Sequence, residues 1–220
     1  MKIRNTIAGV CQTASKFFFL IAAFACVFSM ASCSESDGTE DEFENWESRN
    51  DVFFNNIYDQ AEKAINAGSK EWKIIRSYSK NAAASKTDYI VVHVENEGTG
   101  TESPIFTDSV RVHYRGRLIS SANYPEGKIF DSSWSGEYNT NTMSPTGLPV
   151  KNLVIGFSTV LMNMHNGDRW TVYIPQALGY GAIAKNIDNG IETIPAYSTL
   201  IFDITLLDFA HLGQKLPTFQ

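Results

Sequence analysis

Cysteine is scarce in this chain of 220 residues: the three present are Cys11, Cys26 and Cys33, and none follows. Residues 34–220 therefore contain no disulfide framework and no metal site built from thiolates. Stability must come instead from a packed interior. The 43% share of hydrophobic residues is typical of a globular protein and is sufficient for one.

Positive charge is also in short supply, with 18 Lys and Arg residues against 24 Asp and Glu residues and a net charge of −6 at pH 7. That balance argues against nucleic acid or an anionic membrane surface as the main partner. The sequence contains no P-loop, no dinucleotide-binding glycine pattern and no G-x-S-x-G. Its four histidines lack the spacing of metal ligands such as H-E-x-x-H. We therefore expect no metal and no cofactor.

A long apolar run over residues 17–30 follows the basic residues Lys2, Arg4 and Lys16. The run of about 14 residues is short for a membrane span and typical of the core of a signal peptide. Loss of residues 1–32 would change the net charge from −6 to −9, because three basic residues and no acidic residue lie there.

The apolar run ends in Met30-Ala31-Ser32-Cys33, which resembles the lipobox of bacterial lipoproteins. In a lipobox the cysteine receives lipid and becomes the new N-terminus. The resemblance predicts a signal peptide over residues 1–32 and lipidation of Cys33. Ser34 rather than Asp follows, which favours the outer membrane of the cell envelope, with the protein facing the periplasm or the surface. The alternative is an ordinary secretory signal with an incidental cysteine.

An acidic tether is predicted over residues 33–44. A polar, charged segment of this kind is most simply a solvated spacer that keeps the following domain off the membrane. A signal for export to the cell surface is the alternative. The acidic residues are Glu35, Asp37, Glu40, Asp41, Glu42 and Glu44.

A helical extension and a linker are predicted over residues 45–85. No proline precedes Pro104, so the strongest helix breaker is absent here. Apolar residues between Phe43 and Ile65 recur at intervals of three, four and seven, which predicts a helix over about residues 42–67.

The ends of this helix also have sequence signals. Thr39 and Glu42 have the spacing of a capping box, Gly68 is a typical C-terminal stop, and residues 81–86 look like a linker. Homodimerisation through the helix is one interpretation. We favour packing of the helix on its own domain or on itself, because a single helix of this length offers little interface area.

From Thr87 onwards, short β-branched and aromatic runs predict strands over residues 89–94, 110–118, 170–174 and 199–209. Residues 157–164 form the one predicted helix of this region. Several strands and a single short helix indicate an antiparallel α+β domain. Alternation along residues 110–118 places Val110, Val112 and Tyr114 on the core face and His113 on the solvent face.

Six segments occur in this region in an order and at a spacing that together resemble the FKBP-type peptidyl-prolyl isomerase domain. The resemblance implies that residues 86–212 form a twisted antiparallel β-sheet wrapped over a short helix, preceded by the helical extension. The segments are residues 112–118, 130–133, 154–157, 164–169, 174–181 and 194–204.

The resemblance implies a peptidyl-prolyl cis-trans isomerase that assists the folding of exported envelope proteins. Its partners would be proline-containing segments of unfolded or exported proteins, and macrolide inhibitors of the FKBP class. The membrane would be contacted through the lipid anchor only. The alternative is a non-catalytic proline-peptide-binding or chaperone module on the same fold. A third interpretation is an assembly factor whose helix recruits a partner.

The resemblance also assigns roles to individual residues. Phe130, Asp131 and Tyr180 match the catalytic positions, with the Tyr180 hydroxyl and the backbone N–H of Val154 as donors to the substrate. The substrate-binding positions are matched by Tyr114, Leu153, Val154, Phe157, Ile194 and Phe202.

The sequence departs from the family pattern in three places. Phe157 stands where the pocket floor is usually Trp, and the loop over residues 181–194 is longer than in the minimal domain. An expected pocket aromatic between Asp131 and Leu153 is missing, in a segment that is itself extended. If Trp134, Tyr138 or Phe157 filled that wall, catalysis would be favoured, whereas an open groove would favour binding alone.

Overall fold

The computed structural model describes residues 42–140, 142–187 and 192–216. The chain divides into two units, Met1–Thr39 and Glu40–Gln220, and all the described residues belong to the second. The predicted signal peptide, Cys33 and most of the tether lie outside the described residues. Among the residues that are described, no helix has both the length and the apolar character that crossing a bilayer requires.

The described residues form two α-helices and nine strands, joined by turns and three short 3-10 segments. In chain order the elements are α1 (Trp46–Asn66), β1 (Trp72–Arg76), β2 (Tyr89–Asn96), β3 (Ser109–Arg117), β4 (Ile129–Ser132), β5 (Thr146–Pro149), α2 (Ile155–Leu161), β6 (Arg169–Ile174), β7 (Lys185–Ile187), β8 (Glu192–Ile194) and β9 (Leu200–Ala210).

Seven strands form one antiparallel sheet in the order β1-β2-β6-β9-β3-β4, with β5 paired to β3 beside β4. Strands β7 and β8 form a separate antiparallel hairpin. The four predicted strands correspond to β2, β3, β6 and β9, so the α+β prediction with an antiparallel sheet is confirmed.

Helix α2 packs against one face of the sheet, towards β1, β2 and β6. All its residues from Gly156 to Leu161 are buried, and Val160 and Leu161 belong to the main apolar core. A side chain at Gly156 would collide with Ile174, so glycine lets the helix lie close to β6. The helix begins two residues before the predicted start and ends at Leu161, because residues 162 and 163 form a turn.

Helix α1 packs on the same domain, as favoured from the sequence. The Trp46 indole N–H donates to Ser198 Oγ at 2.9 Å, and the Thr199 backbone N–H donates to Asn50 Oδ1 at 2.7 Å. Trp46 belongs to the main core, while Phe54 packs in a second cluster with Val91.

The start of α1 differs from the prediction. The helix begins at Trp46, after Asn45 in a left-handed conformation with φ of 53° and no side-chain cap. The Glu42 carboxylate accepts hydrogen bonds from Asn123 instead. Thr39, the other half of the proposed capping box, lies outside the described residues.

The extension also contributes a strand that the sequence analysis did not identify. Strand β1 pairs along its full length with β2, so the sheet begins at Trp72, well before the predicted domain boundary at residue 86. The predicted linker over residues 81–86 is held by Asp88. The Asp88 carboxylate accepts from the Ala84 and Ser85 backbone N–H groups at 2.8 and 3.0 Å and pairs with Lys80. These bonds lower the pKa of Asp88 to about 2.

The prediction that His113 faces solvent was wrong, because only 1% of its surface is exposed. Tyr138, from the extended segment after β4, lies over its ring with centroids 6.2 Å apart. The Tyr138 hydroxyl bonds Thr205, which pairs with His113 across β3 and β9. This second layer buries a face that alternation alone assigned to water, and the burial lowers the pKa of His113.

Candidate functional site

One cleft of about 390 Å³ lies between the sheet, the N-terminus of α2 and the β7–β8 hairpin. All nine residues that the sequence assigned to catalysis or substrate binding line it. Four further residues, Leu148, Asn152, Lys185 and Asn186, complete the lining. The nine are Tyr114, Phe130, Asp131, Leu153, Val154, Phe157, Tyr180, Ile194 and Phe202.

The floor of the cleft is a set of aromatic rings in edge-to-face contact. The Phe157 ring meets Phe202 at 4.8 Å and 86° and Tyr114 at 6.1 Å and 90°. Phe130 also meets Phe202, at 5.5 Å and 89°. Such contacts stabilise one relative orientation of the rings beyond what burial alone provides. The floor is therefore apolar and fixed in shape, which suits a compact ring such as that of proline.

Gly116 on β3 makes this arrangement possible. A Cβ atom at this position would lie 2.5 Å from Phe130 Cε2 and 2.6 Å from Phe202 Cε1. Distances that short are steric collisions, so any side chain here would displace both rings. Gly116 thus acts as a positioning residue for the floor through the two phenylalanines.

The carboxylate on the rim has a fixed orientation. The Tyr114 hydroxyl donates to Asp131 Oδ2 at 2.9 Å. Burial, followed by this hydrogen bond, raises the pKa of Tyr114 well above the ordinary value for tyrosine. Tyr114 therefore stays protonated across the physiological range and keeps Asp131 pointing along the rim.

Two donors at the cleft have no acceptor among the described residues, namely the Tyr180 hydroxyl and the Val154 backbone N–H. Tyr180 follows a 3-10 turn, and the backbone N–H groups of Gly179 and Gly181 both donate to the Gln176 carbonyl. Gly181 adopts φ of 61°, a conformation that glycine reaches without strain. Burial raises the pKa of Tyr180, so its hydroxyl keeps its proton and can donate it in a hydrogen bond.

The missing aromatic wall is not replaced by Trp134 or Tyr138. Both rings lie on the opposite face of the sheet, where they contact each other at 5.3 Å. Trp134 packs against Arg115 there, with the guanidinium carbon 4.6 Å from the ring centroid. Leu148 on β5 lines the cleft, and Phe157 is its floor. The wall in question is therefore aliphatic.

The long loop forms the β7–β8 hairpin, and Lys185, Asn186 and Ile194 bring it to the cleft. Residues 188–191 at its tip lie outside the described residues. Lys185 pairs with Ile194, which was predicted to line the cleft. A prediction of this pairing would have identified Lys185 as a lining residue too. Strands of three residues are too short for periodicity to reveal them. Within the described part of the chain, no group of three or more His, Asp or Glu side chains is placed to hold a metal ion.

Comparison with known proteins agrees with this geometry. Residues 100–207 match the model of a family described as FKBP-type peptidyl-prolyl cis-trans isomerase. The chain carries an FKBP-type domain. All nine predicted cleft residues fall inside the matched range, whereas α1, β1 and β2 of the sheet lie before it.

Curated relatives include the FKBP-type 22 kDa peptidyl-prolyl cis-trans isomerase of Escherichia coli, which is 34% identical over 62% of this chain and 58% of its own length. The macrophage infectivity potentiator of Trypanosoma cruzi is 33% identical over 53% of this chain and 51% of its own length. The chain thus spans somewhat more than half the length of these relatives.

Two solved structures share the fold. FkpA of Escherichia coli superimposes with a TM-score of 0.50 at 26% identity, over 90% of this chain and 73% of that one. A peptidyl-prolyl cis-trans isomerase of Pseudomonas syringae pv. tomato gives a TM-score of 0.51 at 24% identity, over 79% of this chain and all of that one. Both alignments extend beyond the FKBP-type domain into the N-terminal extension.

Proposed function

We propose that the chain is a peptidyl-prolyl cis-trans isomerase that acts on proline-containing segments of exported proteins in the cell envelope. The observation that carries the proposal is the aromatic cleft of an FKBP-type domain, with two hydrogen-bond donors at its rim that lack acceptors among the described residues.

The reaction needs no nucleophile. The barrier to rotation about a peptide bond is about 18–20 kcal/mol, because amide resonance is lost as the bond twists. Water stabilises the planar, polar amide, so an apolar cleft that excludes water favours the twisted state. A thousandfold acceleration requires only about 4 kcal/mol of such differential stabilisation. The rings of Phe157, Phe130 and Phe202 supply the apolar surface for the proline.

The rim would hold the peptide on both sides of the twisting bond. The Val154 N–H and the Tyr180 hydroxyl each donate to a carbonyl of the substrate, which fixes the backbone while the proline ring rotates in the cleft. Asp131, held by Tyr114, places a negative charge near the bond that twists. No group has to gain or lose a proton during the reaction.

The test is isomerisation of a short X-Pro peptide by the purified chain, compared with Tyr180→Phe and Asp131→Ala. We expect clear acceleration by the wild type and a loss of about tenfold or more in each variant, in keeping with the loss of one positioned hydrogen bond or charge. Tyr124→Phe is the matched control, since Tyr124 is an exposed tyrosine that does not line the cleft. Activity that survives both cleft variants would contradict the residue assignment.

The second candidate is a non-catalytic module that binds proline peptides or unfolded chains. The aliphatic wall at Leu148 favours it, because the proline would be gripped by rings on fewer sides. A folded chain that binds proline peptides or slows aggregation of an unfolded client, yet does not accelerate isomerisation, would establish this candidate in place of the enzyme.

We further propose that Cys33 carries lipid and anchors the protein to the outer membrane of a bacterial envelope. The support is the lipobox-like Met30-Ala31-Ser32-Cys33 and the serine that follows. Metabolic labelling with a palmitate analogue should label the wild type and not Cys33→Ser, and membrane fractionation should release the variant. Labelling of Cys33→Ser would contradict the assignment.

Homodimerisation through α1 stays a prediction. The buried face of α1 packs on its own domain, and Val52 and Ile65 are its exposed large apolar residues among those described. Sedimentation of wild type and Val52→Glu at several concentrations would measure any dimer and the contribution of this face.

A further inference from the structure

The proposed chemistry does not use the ammonium group at the lip of the cleft. Lys185 opposes Ile194 directly in the β7–β8 hairpin, and opposed residues of an antiparallel pair project to the same face. Ile194 is fully buried in the apolar wall, whereas Lys185 is exposed, and both line the cleft. The lysine stem therefore lies along the wall, with its charge at the mouth.

Among the side chains that the structure describes, no carboxylate lies within 4.0 Å of this ammonium. Two lysines do have such partners, since Lys80 pairs with Asp88 and Lys86 with Asp59. The other charged residue of the cleft lining is Asp131, whose carboxylate accepts from the Tyr114 hydroxyl. The hydrogen bond leaves Asp131 charged, so the lining carries its negative charge on β4 and its positive charge on the β7–β8 hairpin.

We propose that Lys185 sets the sequence preference of the cleft, which favours prolines flanked by Asp or Glu. This inference rests on the proposed function and names its substrate class. An extended peptide advances by about 3.3–3.6 Å per residue. A side chain one or two positions from a proline seated on Phe157 therefore reaches the lip, where a carboxylate meets Lys185 and a basic side chain is repelled.

The size of the effect follows from the exposure of Lys185. Ion pairs at a solvated rim are weak, so we expect a preference of about three- to tenfold in kcat/KM for an acidic over a basic flanking residue. The difference belongs in KM, because this charge lies away from the bond that twists. It should shrink as salt rises, since the Debye length falls from about 30 Å at 0.01 M to about 3 Å at 1 M.

The experiment measures isomerisation by the full chain of three peptides that differ only in having Glu, Ala or Lys beside the proline. We expect the order Glu, Ala, Lys for the wild type at low salt. Lys185→Met should remove the order and Lys185→Glu should reverse it. Lys63→Glu makes the same change in net charge on an exposed residue of α1 that does not line the cleft. It should keep the wild-type order.

Three results would overturn the inference: equal kcat/KM for the Glu and Lys peptides in the wild type, an unchanged order in Lys185→Glu, or the same reversal in Lys63→Glu. Binding of the three peptides, followed by NMR titration, separates the preference from the chemistry. A chain that binds the Glu peptide most tightly through Lys185 but does not isomerise it would contradict the proposed enzyme and support the preference.

Discussion

The two faces of the sheet differ in chemistry although the same strands build both. On β3 and β9, Tyr114 and Phe202 point into the cleft, while their neighbours Arg115 and Asp203 line a second depression of about 470 Å³ on the outer face. Side chains alternate between faces along a strand, so adjacent residues serve the two faces independently. A change on one face can therefore be tested against the other.

On the outer face, the charged side chains form hydrogen bonds and ion pairs with other groups of the same chain. The Arg169 guanidinium donates to both oxygens of Asp203, at 3.0 and 2.5 Å, and lies 3.9 Å from the centroid of the Tyr138 ring. Arg115 donates to the carbonyls of Trp134 and Gly136. The inner face instead leaves donors such as the Tyr180 hydroxyl without acceptors among the described residues. The comparison assigns stability mainly to the outer layer and ligand binding to the inner cleft.

The largest expected effect is on the outer face. Trp134 is 8% exposed and packs on Arg115 and Tyr138, so Trp134→Ala should lower the free energy of unfolding by about 3 kcal/mol. Below the unfolding transition, kcat/KM for an X-Pro peptide should stay within about twofold of wild type. Urea unfolding and the peptide assay measure the two quantities. Loss of activity in a still-folded variant would show that the outer face influences the cleft.

The next effect is on the inner face. Gly116→Ala should displace Phe130 and Phe202, lower stability by about 2 kcal/mol and reduce kcat/KM more than tenfold. The matched control is Gly147→Ala on β5, where the new methyl group would meet only Leu216, at 3.6 Å. It should change neither quantity appreciably. Wild-type activity in Gly116→Ala would show that the floor does not need its present ring positions.

Phe157→Trp alters the floor of the cleft and leaves the outer face unchanged. The larger ring should deepen contact with a ligand on the floor and raise affinity for a macrolide of the FKBP class by about tenfold, or about 1.4 kcal/mol. Titration calorimetry measures this, with unfolding experiments to verify that the larger ring is accommodated. Unchanged affinity would indicate that the Leu148 wall, rather than the floor, limits binding.

The smallest expected effect is on the pH dependence of stability, through protonation of the buried His113 on the outer face. Burial lowers the pKa of His113 below its ordinary value of 6.5, so the unfolded chain takes up a proton more readily than the folded one. Stability should therefore fall as pH drops below about 6.5. His113→Gln should lose that part of the pH dependence of unfolding below pH 6.5. An identical pH profile in the variant would mean that other groups are responsible.

Much of the fold could be predicted because β2, β3, β6 and β9 are long enough for their apolar pattern to repeat. The short strands β1, β5, β7 and β8 lack that repetition, and pairing with distant strands defines them. His113 was assigned to solvent because alternation describes one strand and says nothing of Tyr138, which covers it from 25 positions further along the chain.

The residues of the candidate site also fall into a predicted group and a group that the sequence did not reveal. Eight of its nine predicted residues lie in segments whose spacing is characteristic of the family, and the ninth, Leu153, directly precedes one of them. Leu148, Asn152, Lys185 and Asn186 lie in the two stretches that depart from the family pattern, so no motif marked them. Their places depend on hairpin register and on which strand β5 joins, and both are properties of the folded chain.

Strand β9 lies between β3 and β6 at the centre of the sheet, although it is the last strand in the sequence. A chain synthesised or threaded through a membrane from its N-terminus therefore cannot complete the sheet until residue 210 has emerged. Its early strands must wait for a late partner, and pairings across such sequence separations form slowly. A ribosome that stops before β9 therefore releases a product with no central strand.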